Sequence, residues 1–375
     1  MNRNLLFIAL ALLLWGFGEG MFINFIPIYL ANTFHLTKTQ IGLVLGIFGF
    51  SLMLTHLPAG WLADRLGRRP LLRSAWLIGL LATMLMSLGQ ALPLYLTGLF
   101  LYGLTSFVAA PLNSYVTAAR GKWPVSTALA LTTATFSTGM VFGPIISGWL
   151  GEQFGMRASL VAASVIFAIS TVFIFFIAAQ PLNHYDSAAP PPGLWKNQRF
   201  LLFLGVLTLA IFSMYLAIPL TPNFLESVRG LSLSQNGVVF AAGALGNALI
   251  AILLSQSEPR FGFLAAQGMV ILFALAIWKG NSLPVFALGY FLLGGFRAAR
   301  PMYLAQARAL VHESQMGLTY GVLETMSGLI FFITPPLAGL LFEWQPEAVY
   351  PLAISLLSLS ILTGALLLPR KDAHA

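Results

Sequence analysis

Gly60-Trp61-Leu62-Ala63-Asp64-Arg65-Leu66-Gly67-Arg68-Arg69-Pro70 decides what kind of fold this chain can adopt. The 375 residues hold 19 Lys or Arg and 11 Asp or Glu, and four of these thirty charges crowd into eleven positions. On either side the sequence is apolar for about 20 residues, the length that crosses a lipid hydrocarbon core as a helix. A charged knot between two such runs is a short loop held at a membrane surface. Hydrophobic residues make up 58% of the whole chain and charged residues 8%, against about 25% charged in a soluble domain. A water-soluble fold is therefore excluded.

Apolar runs recur at roughly 5–31, 39–62, 70–90, 93–117, 126–150, 158–180, 199–223, 235–256, 262–280, 284–307, 317–342 and 348–369. A transmembrane barrel would alternate in segments of about ten residues, whereas these runs are apolar on all sides. The fold class expected is an all-α membrane protein with twelve transmembrane helices. Met1-Asn2-Arg3 and the run behind it imitate a signal peptide. The run is too long and has no small-residue cleavage site, so it reads as a retained first helix. There is no cysteine, which excludes disulfide and thiol chemistry.

The net charge of +8 does not point to nucleic acid, because its distribution is topological. With these spans both termini lie on one side, together with Arg3, Arg65, Arg68, Arg69, Arg73, Arg120, Lys122, Lys196, Arg199, Arg260, Arg308, Arg370 and Lys371. The other side has Lys38, Arg157, Arg229 and Lys279, and Arg297 and Arg300 fall inside the membrane. Thirteen against four puts both termini in the cytoplasm.

The chain is also internally duplicated. Pro27, Gln40, Gly42, Arg65 and Gly67 recur at an offset of 195 as Pro222, Gln235, Gly237, Arg260 and Gly262. Pro93, Gly103, Pro144, Gly148 and Glu152 recur at an offset of 191 as Pro284, Gly294, Pro335, Gly339 and Glu343. A four-residue deletion near the ninth helix accounts for the change. The expected division is an N-terminal six-helix half at 1–183, a Pro-rich cytoplasmic linker at 184–198 and a C-terminal half at 199–375. The second copy of the charged loop is eroded, with Pro259 where Asp64 stands.

The pattern Gly-x3-Asp-Arg-x-Gly-Arg-Arg, carried by Gly60, Asp64, Arg65, Gly67, Arg68 and Arg69, resembles the signature loop between the second and third helices of the major facilitator superfamily. The resemblance implies two six-helix pseudo-repeats with the substrate site between them near the bilayer midplane. It also implies a gate latch, with Asp64 set against a helix N-terminus, here the start of the eleventh helix near Gly317. Gly139, Gly143, Pro144 and Gly148 in the fifth helix resemble the Gly-Pro motif of proton-coupled antiporters, with Ser147 in place of one glycine. Ordinary glycine-mediated helix packing is the competing reading. The implied function is secondary active transport by alternating access, with proton-coupled export of small organic, amphipathic compounds. Open alternatives are a proton-coupled symporter or facilitator for a sugar or organic anion, a lipid-handling carrier, and a transport-dead membrane sensor or scaffold. The implied partners are a small-molecule substrate, protons and the lipid bilayer of a bacterial-type inner or plasma membrane, with the chain acting as a monomer. No enzyme signature, cofactor motif or metal-ligand spacing is present.

Ionisable residues inside spans are costly and so read as functional. Glu19 lies 14 residues beyond Leu5, about 21 Å along the first helix and near the bilayer centre. It is the proton-coupling candidate, or else a structural carboxylate. Arg297 and Arg300 share a helix three residues apart, where the first half has Ser106 and Ala109. Counting depth along antiparallel helices puts Arg300 level with Glu324, which predicts a buried ion pair. Arg297 is left to face the cavity, either binding an anionic cargo or neutralising a carboxylate. Asn24, Asn113, Tyr215 and Asn247 are further cavity candidates. His56 reads as a hydrogen-bonding group more readily than a relay, and the threonines at 132, 133, 135 and 138 as packing glue.

Overall fold

The computed structural model describes residues 3–179, 194–311 and 316–367, with the side chains of 56–66, 110, 126 and 316–317 excepted. In chain order the described residues form α1 (Arg3–Phe22), α2 (Ile26–Phe34), α3 (Lys38–Leu66), α4 (Arg68–Leu88), α5 (Leu92–Leu104), α6 (Ala109–Ala119), α7 (Val125–Phe154) and α8 (Met156–Phe175). There follow α9 (Gln198–Leu216), α10 (Thr221–Ser227), α11 (Leu233–Ser255), α12 (Pro259–Lys279), α13 (Leu283–Leu292), α14 (Gly294–Leu310), α15 (Met316–Trp344) and α16 (Val349–Leu367). The succession repeats after eight helices. Each copy makes six spans, because its first and fourth spans are broken in two. Short 3-10 turns at Ile23–Phe25 and Thr105–Val108 make the breaks in the first copy. In the second, turns at 217–220 and Leu293 do so. Broken helices are where transporters commonly place binding groups.

Among the described residues, ten segments are long and apolar enough to cross a membrane singly, and Leu92–Val108 with Pro111–Ala119 is a further one bent by 42°. The tenth span, α13–α14, is the polar exception, since α14 carries Arg297, Arg300, Gln306 and Arg308. The chain is an all-α, multi-pass integral membrane protein.

Local sequence explains the helix ends. Proline occupies the first turn of α5, α10, α12 and α13, where its missing N–H is not needed. Thr37 and Gln40 exchange bonds at the start of α3, Thr37 N to Gln40 Oε1 at 2.9 Å and Gln40 N to Thr37 Oγ1 at 3.3 Å. Ser232 and Gln235 repeat this at α11, at 2.9 and 3.3 Å. These are reciprocal capping boxes. Between α3 and α4, Gly67 has φ of 80°, a left-handed conformation that glycine alone adopts without strain.

The chain forms two compact units. The first holds Met1–Leu36, Ile47–Ser187 and Gly230–Ala241, and the second Thr37–Gly46, Ala188–Arg229 and Ala242–Ala375. The opening turns of α3 and α11 thus each group with the other repeat. Most of the linker expected at 184–198 lies outside the described residues.

Within each unit, arginines tie helix ends together. Arg157 donates from Nε to Ser87 O at 3.1 Å, at the end of α4. Its second-copy counterpart in role, Arg229, donates to Trp278 O at the end of α12. Arg73 donates to Phe175 O at 2.5 Å at the end of α8, and Arg260 to Ala365 O near the end of α16. Cations at helix C-termini meet free carbonyls and the negative end of the helix dipole.

Candidate functional site

In the first unit the site is built around Glu19 on α1. Trp15 lies one turn earlier on the same face and donates from Nε1 to Glu19 Oε2 at 3.2 Å. Tyr102, brought in by α5, donates its hydroxyl to the same oxygen at 2.8 Å. Both donors are themselves locked. Trp15 packs against Trp76 of α4 with ring centroids 4.7 Å apart and against Phe167 of α8 at 4.6 Å. Phe22 meets Tyr102 edge-on at 4.9 Å. Trp76 is held by Ser170, whose hydroxyl accepts at 2.8 Å and donates onward to Ala11 O at 2.7 Å. Glu19 is half-buried, and its carboxyl sits in an aromatic box, accepting from both Trp15 and Tyr102.

The Gly-Pro stretch of α7 packs on another face of α1, through Leu13, Gly16, Phe17 and Gly20. A methyl group at Gly16 of α1 would collide with Phe136 O, and one at Gly139 or Gly143 with Leu13 O or Phe17 O. Backbones therefore touch along the α1–α7 crossing, which only missing Cβ atoms permit. Ser147 Oγ donates to Met21 O at 2.5 Å. Further along, Gly148 lies against Leu233 and Ser234 at the start of α11. There Glu152 Oε2 accepts from Ser232 Oγ at 3.1 Å and from Ser234 N at 3.0 Å.

The second unit builds the same corner with other chemistry. Glu343, the repeat partner of Glu152, accepts from Thr39 N at 2.9 Å and Thr39 Oγ1 at 2.7 Å at the start of α3. Each carboxylate thus caps a helix N-terminus, where negative charge is favoured. Deeper in, Arg300 of α14 donates to Glu324 Oε1 of α15, from Nη2 at 2.5 Å and from Nε at 3.1 Å. The pair is made but not enclosed, with side chains 58% and 23% exposed. The expectation of a buried pair is corrected on that point, since α14 presents Arg300 on an open face. Arg297 is exposed beside Tyr215. Tyr215 packs on Phe296 at 5.7 Å and on Phe331 at 4.6 Å.

Asn24 is half-buried in the 3-10 turn of the first span, and Asn113 is exposed on α6. Neither is joined to Glu19 by a described hydrogen bond. In the charged loop, Gly67, Arg68 and Arg69 are described, while the side chains of His56, Gly60, Asp64 and Arg65 lie outside the described residues, as does the start of α15 near Gly317. Sequence reasoning did not find Trp15 and Tyr102 as donors to Glu19. An indole four residues before a carboxylate within an apolar helix is a usable signal, whereas the tyrosine comes from 83 positions away.

Comparison with known proteins places this architecture. The family model of the Major Facilitator Superfamily matches residues 8–264. The chain belongs to the major facilitator superfamily. It is 23% identical over 346 residues to multidrug resistance protein 2 of Bacillus subtilis (strain 168), covering 87% of this chain and 85% of that protein. It is 26% identical over 350 residues to multidrug resistance protein MdtG of Proteus mirabilis (strain HI4320), covering 88% and 84%. The crystal structure of the nucleoside transporter NupG superposes with a TM-score of 0.77 at 14% identity, over 98% of both chains. That likeness concerns the fold.

Proposed function

We propose that this transporter exports small amphipathic organic compounds in exchange for protons, by alternating access between a half at 1–183 and a half at 199–375. Both termini lie in the cytoplasm in this reading, 184–198 links the halves, and the monomer is the working unit. The observation that carries it is Glu19, a half-buried carboxyl on the first span that accepts from both Trp15 and Tyr102. Such a group takes up a proton when those donors are withdrawn and loses it when they return. The glycine crossing of α1 on α7 couples that helix to α7 as a rigid pair. The multidrug names of two relatives support export. Gly60, Asp64, Arg65, Gly67, Arg68 and Arg69 serve as the cytoplasmic latch, since topology alone would need the positive residues but neither the Asp nor the glycines.

Proteoliposomes with an enclosed pH dye test this. A substrate panel is added to wild type and to Glu19→Gln, which keeps the size and hydrogen-bonding of the side chain. Wild type should move protons opposite to substrate, and Glu19→Gln should not. Protons moving with the substrate would mark a symporter instead.

A further inference from the structure

Three aromatic rings and an arginine in the second unit have no counterpart in the first. Tyr215 of α9, Phe296 of α14 and Phe331 of α15 touch pairwise, with centroids 5.7, 4.6 and 6.3 Å apart. All three are half-buried, so three helices offer one partly open apolar pad. Arg297 stands beside it, and its guanidinium makes no hydrogen bond or ion pair among the described residues. Its neighbour Arg300 is neutralised by Glu324 at 2.5 Å. The patch therefore carries one uncompensated positive charge.

The fold does not require this patch. At the repeat offsets, Tyr215, Phe296, Phe331 and Arg297 correspond to Gly20, Thr105, Met140 and Ser106. Ser106 is closed off, with its hydroxyl 2.5 Å from Thr55 Oγ1 and donating to Leu52 O at 3.1 Å. The same succession of helices thus forms in the first copy with neither charge nor pad. A lone cation within a membrane span is costly to keep, and a carrier retains one where a ligand completes it. A planar guanidinium with several donors matches an acidic oxygen pair, and rings offset from one another accept a flat apolar body.

Resting on the transport reading above, we propose that Arg297 and the Tyr215–Phe296–Phe331 pad bind the cargo as an aromatic organic anion, the acidic group on Arg297 and the ring system on the pad. Cations are turned away by the uncompensated charge, and neutral isosteres leave the guanidinium unpaired.

The test uses the full chain purified in neutral detergent and three probes with one ring system: 1-naphthaleneacetate, 1-naphthaleneacetamide and 2-(1-naphthyl)ethylamine. Binding is read from the rise in unfolding temperature with probe concentration, with no gradient present. The acetate should bind about tenfold or more tightly than the amide, and the amine weakest. Arg297→Gln should bring the acetate down to the level of the amide without changing the amide, and Arg297→Lys should retain part of the preference. Phe331→Leu keeps the charge and should weaken all three probes, which covers the case in which Arg297→Gln does not fold. Anionic phospholipid added to the micelles should not displace the acetate. Failure of the acetate to bind, equal binding of the three, an acetate affinity unchanged by Arg297→Gln, or displacement by the lipid overturns the proposal. Because no proton gradient enters, this outcome is independent of whether Glu19 carries protons.

Discussion

The two copies of the repeat use one succession of helices for opposite electrostatics. In the first, α1 and α7 are zipped together through Gly16, Gly139 and Gly143, and the polar centre is an acid, Glu19, in an aromatic box. In the second, the matching positions are Ile211, Ile330 and Thr334. There α9 and α15 pack less extensively than α1 and α7. Glu19 and Trp15 become Met214 and Ala210, and Tyr102 becomes Leu293. The polar centre there is cationic, Arg297 with the Arg300–Glu324 pair. What survives in both copies is peripheral: the capping boxes at α3 and α11, the carboxylates Glu152 and Glu343, and arginines on helix C-termini. Duplication preserved the joints and released the interior to diverge.

That contrast can be broken most forcefully at the glycine crossing. Gly139→Leu forces a side chain into Leu13 O, and overpacking of this kind costs about 1–3 kcal/mol, occasionally more. Thermal unfolding in detergent should show a large loss. Ile330→Leu, the matching position in the second copy, conserves volume and should cost less than about 1.5 kcal/mol. Equal effects at both positions would mean that the crossings are not different in kind.

A smaller effect sharpens the reading of α14. In a double-mutant cycle on Arg300→Gln and Glu324→Gln, a half-exposed pair should show a coupling of about 1 kcal/mol or less. The same cycle on Arg297 and Glu324 should show still less, since Arg297 does not contact that carboxylate. The smallest effect concerns the shared joints. Glu152→Gln should speed hydrogen exchange at the Ser234 amide, and Glu343→Gln at the Thr39 amide, to similar extents. Unequal protection would show that the two carboxylates have diverged as well.

The spans and the repeat were legible because bilayer thickness imposes length and because Gly, Pro and charge tolerate little drift at joints. Glu19, Arg297, Arg300 and Glu324 stand out in sequence since charge in apolar runs is conspicuous, and depth counting sets Arg300 level with Glu324. The partners of Glu19 were not legible. Tyr102 reaches it through tertiary packing that no local pattern encodes, and Trp15 reads as one more apolar side chain until its indole N–H has an acceptor. Glu152 and Glu343 were visible as a repeat pair, but their roles depend on helix starts roughly 80 and 300 positions away.

The division of labour itself is tested most directly by measuring two quantities on one variant. Glu19→Gln is reconstituted with the pH dye, and its binding of 1-naphthaleneacetate is measured in detergent beside wild type. The account predicts wild-type binding and no substrate-driven proton movement. Proton movement at the wild-type rate in Glu19→Gln would contradict it.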